Sequence, residues 1–168
     1  MTISVPSVMP QIVGFRGSAK FYHTSFFVDD KSDFTFAHHQ TSTSVDKMIK
    51  AKYAHETELR QRGKEVRDYH ADNGTYDVAH FREEVNDNKQ TLTFCGVVSH
   101  HQNGRAKNLI KIMCNPATNM LIHAMYRWQK VFKQSLWTHP IYLTSEIRNK
   151  HKINKQGTAH IEKLTGLS

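Results

Sequence analysis

Residues 91–110 read TLTFCGVVSHHQNGRAKNLI. The first eight, TLTFCGVV, are rich in β-branched and aromatic side chains that fit a pleated surface, and they predict a compact apolar strand. Ser99 to Gly104 form a loop dense in hydrogen-bonding groups. From about Gly104 the spacing of Leu109, Ile110 and Met113 gathers apolar residues on one helical face. Strand, polar loop and helix make the repeating unit of α/β sheets, whose ligands gather just outside the carboxyl ends of the strands. The 99–104 loop is such an end.

Working outward, the same unit recurs upstream. Residues 64–71, KEVRDYHA, predict a strand that ends at Asp72-Asn73-Gly74, and a helix over Tyr76 to Asn88 follows with Val78, Phe81 and Val85 as its apolar stripe. Before it, Ser42-Thr43-Ser44 offers N-caps for a helix to about Arg62, with Val45, Met48, Ile49, Tyr53 and Ala54 at roughly helical spacing and Gly63 as the stop. Residues 20–28, KFYHTSFFV, then the acidic cluster 29–33 and Phe34-Thr35-Phe36-Ala37 predict a hairpin in which Asp29, Asp30 and Asp33 form the turn. The resulting fold class is α/β: a mixed sheet with an initial antiparallel hairpin and then parallel strands, flanked by helices.

The chain has 168 residues and a net charge of +8, a size that suits one domain. Its charge is uneven: residues 1–100 hold 12 Lys/Arg against 13 Asp/Glu, whereas residues 101–168 hold 11 against only Glu146 and Glu162. A cationic segment of this kind attracts polyanions, nucleic acid foremost. No stretch approaches the roughly eighteen apolar residues of a membrane span, and the amino terminus lacks a basic leader before an apolar run. The expectation is a protein without membrane association, located in the nucleus or cytoplasm. Cys95 and Cys114 cannot make a disulfide framework, match no zinc spacing, and are read as packing residues in a reducing compartment. Trp128 and Trp137 are read as core or interface anchors.

The blocks FFVDDKSDFTF (26–36), YHADNGTY (69–76), LTFCGVVSHHQNG (92–104), MLIHAMYRW (120–128), LW (136–137) and HIEKLTG (160–166) occur in that order. Together they resemble the integrase core of copia-type long-terminal-repeat retrotransposons. The resemblance covers about residues 12–166 and implies a ribonuclease H-like fold. Residues 1–130 would form the core-like domain, and residues 131–168 a basic helical extension of it. The implied chemistry is DNA integration by polynucleotidyl transfer. In such chemistry two metal ions about 4 Å apart stabilise the attacking and leaving oxygens, and Mg²⁺ or Mn²⁺ is held by hard carboxylate oxygens. Retroelement ends and target DNA are the implied partners, with a homo-oligomer as the working form.

The same resemblance exposes departures. Its members carry an Asp on the first strand, an Asp in the Asp-Asn-Gly block and a Glu in Gln-Asn-Gly-x-Ala-Glu-Arg. Here Asp72 fits the second place, while Gln102-Asn103-Gly104-Arg105-Ala106-Lys107-Asn108 puts Lys107 in the place of the Glu, 35 residues beyond Asp72. Residues 1–11 contain no acid. An ammonium group cannot ligate a cation while protonated and repels one nearby. An inactive copy that binds no Mg²⁺ is therefore expected, with Asp72 and Lys107 forming an ion pair in the vacated site. Asn73, Gln102, Asn103, Arg105, Lys107 and Lys111 are the expected nucleic-acid contacts, since amides and cations serve phosphates and base edges.

Two further expectations concern Pro116 and the histidines. Pro116 either breaks the third helix, at about 3 kcal/mol, or opens a new one capped by Asn115. His70, His100 and His101 lack metal-ligand spacing, and neither Ser99 nor Cys95 has a positioned base. The alternative reading is a non-catalytic DNA- or RNA-binding module. Arg148, Lys150, Lys152 and Lys155 would add minor phosphate contacts.

Overall fold

The computed structural model describes residues 7–8, 11–13, 20–71, 78–94, 102–130, 132–151 and 157–166; for 7–8, 11–13, 102–107 and 134 it describes the backbone course alone. Six strands and five α-helices follow in chain order among these residues: β1 (Ser7–Val8), β2 (Gln11–Val13), β3 (His23–Val28), β4 (Thr35–Gln40), α1 (Val45–Gln61), β5 (Asp68–Ala71), α2 (Ala79–Asp87), β6 (Thr91–Phe94), α3 (Gln102–Arg127), α4 (Thr138–Lys150) and α5 (His160–Thr165). Strands β1, β5 and β6 are parallel with β5 in the middle, and β2, β3 and β4 are antiparallel with β3 in the middle. Only two residues separate β1 from β2, so the chain passes directly from one trio to the other.

Strand β3 explains why both faces of the sheet need cover. Successive side chains on a strand point to opposite faces. Phe27 accordingly joins one core with Met48, Leu59, Tyr69 and Phe81 from α1, β5 and α2, plus Leu164 of α5. Its neighbours Phe26 and Val28 join a second core with Leu109, Met113 and Ala117 of α3, Trp137, and Ile141 of α4. The helices therefore form a layer on each side.

The predicted hairpin is present, beginning three residues later than the sequence suggested. Its turn is built by Asp29, which is buried: its carboxylate accepts from the Ser32 amide at 2.6 Å and from the Ser32 hydroxyl, while the Asp33 amide donates to the Asp29 carbonyl at 2.9 Å. Asp33 adopts φ 58°, a left-handed conformation that Asp tolerates better than most residues. The ring of His160 meets the Ser32 carbonyl through Nδ1 at 2.8 Å and so seats α5 on this turn.

Helix α1 ends as Gly63 predicts. With φ 69° at Gly63, the Lys64 amide donates to Leu59 O and the Gly63 amide to Arg60 O, the paired bonds of a Schellman cap. Its inward stripe differs from the one read in the sequence. Met48, Ala51, Lys52, His55, Glu56 and Leu59 are buried, whereas Tyr53 is 43% exposed. The apolar count misleads because Lys52 and Glu56 form a buried ion pair: Lys52 Nζ lies 3.0 Å from Glu56 Oε1, which also accepts from Tyr69 Oη and Gln90 Nε2, each at 2.8 Å. His55 stacks on Phe27 with ring centroids 4.5 Å apart. Beside Glu56 a polar cleft of about 250 Å³, lined also by Arg60, Lys64 and Gln90, opens between α1 and the residues preceding β5 and β6.

Helix α2 buries Phe81 and Val85 but leaves Val78 at its margin, and it ends on Lys89 with φ 55°. Helix α4 is tied to the outer strand β4. Asn149 accepts the Thr35 amide at 2.9 Å and donates to the Thr35 carbonyl at 2.7 Å, and Ser145 donates to the same carbonyl at 2.9 Å. One side-chain amide thus supplies the pair of bonds that a further strand would make.

Candidate nucleic-acid interface

The parallel register Ser7 to Tyr69 and Asp68 to Thr91 aligns the carboxyl ends of β1, β5 and β6 on one edge, at Val8, Ala71 and Phe94. Asp72 and Asn73, which directly follow β5 in sequence, lie outside the described residues, as do His100 and His101 of the loop before α3. The helix begins at Gln102, two residues earlier than expected. Gln102 and Asn103 are therefore helical residues and not loop residues, and with Arg105 and Lys107 they occupy the first two turns. At about 1.5 Å per residue, Lys107 stands roughly 7.5 Å along the axis from the first residue. Lys111, one turn further on, is exposed.

Electrostatics at this end favour anions twice over. Unpaired amides and the aligned peptide dipoles place partial positive charge at a helix start. In addition, α3 carries no Asp or Glu anywhere in its 26 residues, and none occurs between Asp87 and Glu146. Lys111 therefore has no acidic neighbour on its own helix.

The inner face of α3 is set by Leu109, Met113 and Ala117, buried at successive four-residue steps against β3 and α4. This stripe fixes the direction in which the helix start points. Pro116 neither breaks the helix nor starts another, because α3 runs through it. Pro116 sits on the exposed side between the buried Met113 and Ala117, and Ile112, whose carbonyl loses its partner, is also 37% exposed. The packed stripe, with Met113 and Ala117 buried on either side of the proline, keeps the helix continuous.

Trp137 is 9% exposed and belongs to the second core, as anticipated, but Trp128 is 59% exposed and is no core anchor. It follows the last turn of α3, past the sheet it would have packed on. Cys114 is a half-buried free thiol whose pKa burial raises. His70 Nδ1 pairs with Thr93 Oγ1 across β5 and β6 at 2.9 Å. Among the described residues no three His, Cys, Asp or Glu side chains are placed to hold a metal ion, and no helix is long and apolar enough to cross a membrane.

Sequence reasoning missed the buried histidines. His39 of β4 sits against Trp137 with ring centroids 5.6 Å apart and Nδ1 2.8 Å from Thr24 Oγ1. Burial, with His38 and His139 nearby, lowers its pKa to about 4. Alternation along β4 was the available signal, since it turns His39 and Ala37 to the same side.

No protein-family model and no curated protein matches this sequence. Solved structures do match its fold. A chain of the simian T-cell lymphotropic virus intasome in complex with PP2A regulatory subunit B56 gamma superposes with TM-score 0.74 at 12% identity, over 97% of this chain and 55% of that one. This chain therefore spans about half the length of that viral protein. The HTLV-2 integrase catalytic core domain in complex with magnesium, in its dimeric form, gives TM-score 0.68 at 13% identity over 98% of both chains. The catalytic core domain of BIV integrase gives 0.62 at 16% identity over 95% of this chain and 92% of that one. Strand order, parallel register and the placement of α3 thus have one shared architecture behind them: the described chain has the ribonuclease H-like fold of retroviral integrase catalytic core domains.

Proposed function

We propose that this chain is a copia-type retrotransposon integrase core that has kept its affinity for nucleic acid and lost its chemistry. The observation that carries the reading is the acid-free helix α3. In a fold shared with magnesium-bound integrase cores, the helix starting at the carboxyl edge offers ammonium and guanidinium groups and no carboxylate. The donor set does not fit a divalent ion, because Lys107 stands where the resemblance puts a ligand and protonated amines do not coordinate. No step through a metal is therefore assigned. Asp72 and Lys107 would instead pair, contributing about 1 kcal/mol or less at a solvent-reached cleft.

DNA bound along Asn73, Gln102, Asn103, Arg105, Lys107 and Lys111 is the corresponding retained activity, in the nucleus or cytoplasm and as an oligomer. A strand-joining assay with purified protein and Mg²⁺ tests the first half: no product is expected, nor from Lys107→Glu alone, because β1 and β2 carry no carboxylate to complete the set. Mg²⁺-dependent joining by the unaltered chain overturns it. For the second half, duplex affinity should fall with salt, and Lys111→Gln should flatten the log–log slope by about 0.9.

A further inference from the structure

Helix α3 outruns the core. The stripe that buries Leu109, Met113 and Ala117 continues through Leu121 to Met125 and Trp128, yet Met125 is 43% and Trp128 59% exposed, with Ile122 at 42% and Tyr126 at 70% beside them. The Trp128 amide still bonds Ala124 O at 2.9 Å, so the side chains keep helical register into the overhang. Along the same segment runs an open groove of about 680 Å³ lined by Pro116, Asn119, Met120, His123, Ala124, Arg127 and Trp128; Ile122, Met125 and Tyr126 do not line it. Its walls are predominantly apolar and its only full charge is Arg127.

We propose that this groove receives an acidic amphipathic helix from another protein. An exposed apolar groove marks a binding surface, and Pro116, Met120, Ala124 and Trp128, four residues apart along the helix, suit the side of an incoming one. Charge selects the kind of helix. Arg127 lines the groove, Lys130 and Lys133 follow it in the sequence, and no Asp or Glu lies between Asp87 and Glu146 to offset them. A second copy of α3 presents the same positive rim and is repelled, whereas a helix with a Glu- or Asp-rich margin gains on both counts. A nucleic acid strand fits less well: Tyr126 and Trp128 are two residues apart, about 200° around the helix, and form no common stacking surface. The groove runs from roughly 21 to 39 Å along α3 from the helix start, beyond Gln102 to Lys107 and about 7.5 Å past Lys111 at its near end.

The test uses the full chain and three labelled probes: a designed helix with Leu at the anchor spacing and Glu elsewhere, its scrambled isomer, and a short oligothymidylate, each followed by fluorescence anisotropy. Only the amphipathic peptide should bind at this groove, more weakly as salt rises, and it should blue-shift the emission of exposed Trp128. Trp128→Ser should weaken binding at least tenfold, the range of an interface hot spot. The double variant Arg127→Glu with Lys130→Glu should switch preference to a peptide with Lys in place of Glu. Equal binding of the scrambled peptide, no binding of the amphipathic one, or oligothymidylate binding that Trp128→Ser abolishes overturns the assignment.

Discussion

His55 makes the fold acid-labile by an amount that can be worked out. Its ring is 1% exposed, stacked on Phe27 and flanked by Phe36 and Tyr69 at 5.6 and 6.5 Å, and its Nδ1 has no hydrogen-bond partner among the described residues. Burial lowers its pKa from 6.5 to about 3. Because the folded value is depressed, the unfolded chain takes up the proton first. Stability is complete above the unfolded value, declines as pH falls below 6.5, and stops declining only near 3. At about pH 5 the chain is roughly 1.5 units into that window, which at 1.36 kcal/mol per unit costs about 2 kcal/mol. His55→Leu keeps an apolar group of similar bulk and removes the titration. Urea unfolding of both proteins at about pH 7.5 and about pH 5 gives the comparison. The unaltered chain should lose about 2 kcal/mol more than the variant between the two conditions, whatever the variant's absolute stability. Equal losses in the two proteins would show that the ring reaches water or a partner, and the reasoning fails.

Three other substitutions probe separate parts of the architecture by the same unfolding measurement. Glu56→Ala strands Lys52, which is fully buried, and should cost about 3–5 kcal/mol; a cost below about 1 kcal/mol means that the ammonium finds water. Asn149→Ala leaves the buried Thr35 amide without its acceptor and should cost about 2 kcal/mol. Lys89→Gly relieves a left-handed conformation at the end of α2 and should stabilise by about 1 kcal/mol, and any loss of stability contradicts the assigned φ.

Where pattern and packing agree, the fold is readable from residues alone. The hairpin followed from aromatic and β-branched runs around Asp29, the end of α1 from Gly63, and α2 from Phe81 and Val85. The inner face of α1 was not readable, because hydrophobic spacing treats Lys52, His55 and Glu56 as solvent-facing. Only the three-dimensional neighbourhood of Tyr69, Gln90 and Phe27 makes their burial affordable. Pro116 was ambiguous for a similar reason: local chemistry favours a break, and tertiary packing of Met113 and Ala117 overrides it. Around the candidate site, the strands ending at Ala71 and Phe94 and the helix beginning near Gly104 were legible. The two-residue earlier helix start was not, since Gln102 and Asn103 are equally at home in a loop.

The amide of Asn149 has a consequence for how this protein behaves when damaged. A hairpin margin with free peptide groups is a template on which other chains can add. Here a single carboxamide, delivered from a helix more than a hundred residues downstream, occupies the first rung of that template. Proteolytic loss or local melting of α4 would bare it, so the first symptom of a nick near residues 133–138 should be polymerisation into β-rich assemblies, ahead of any loss of the remaining fold.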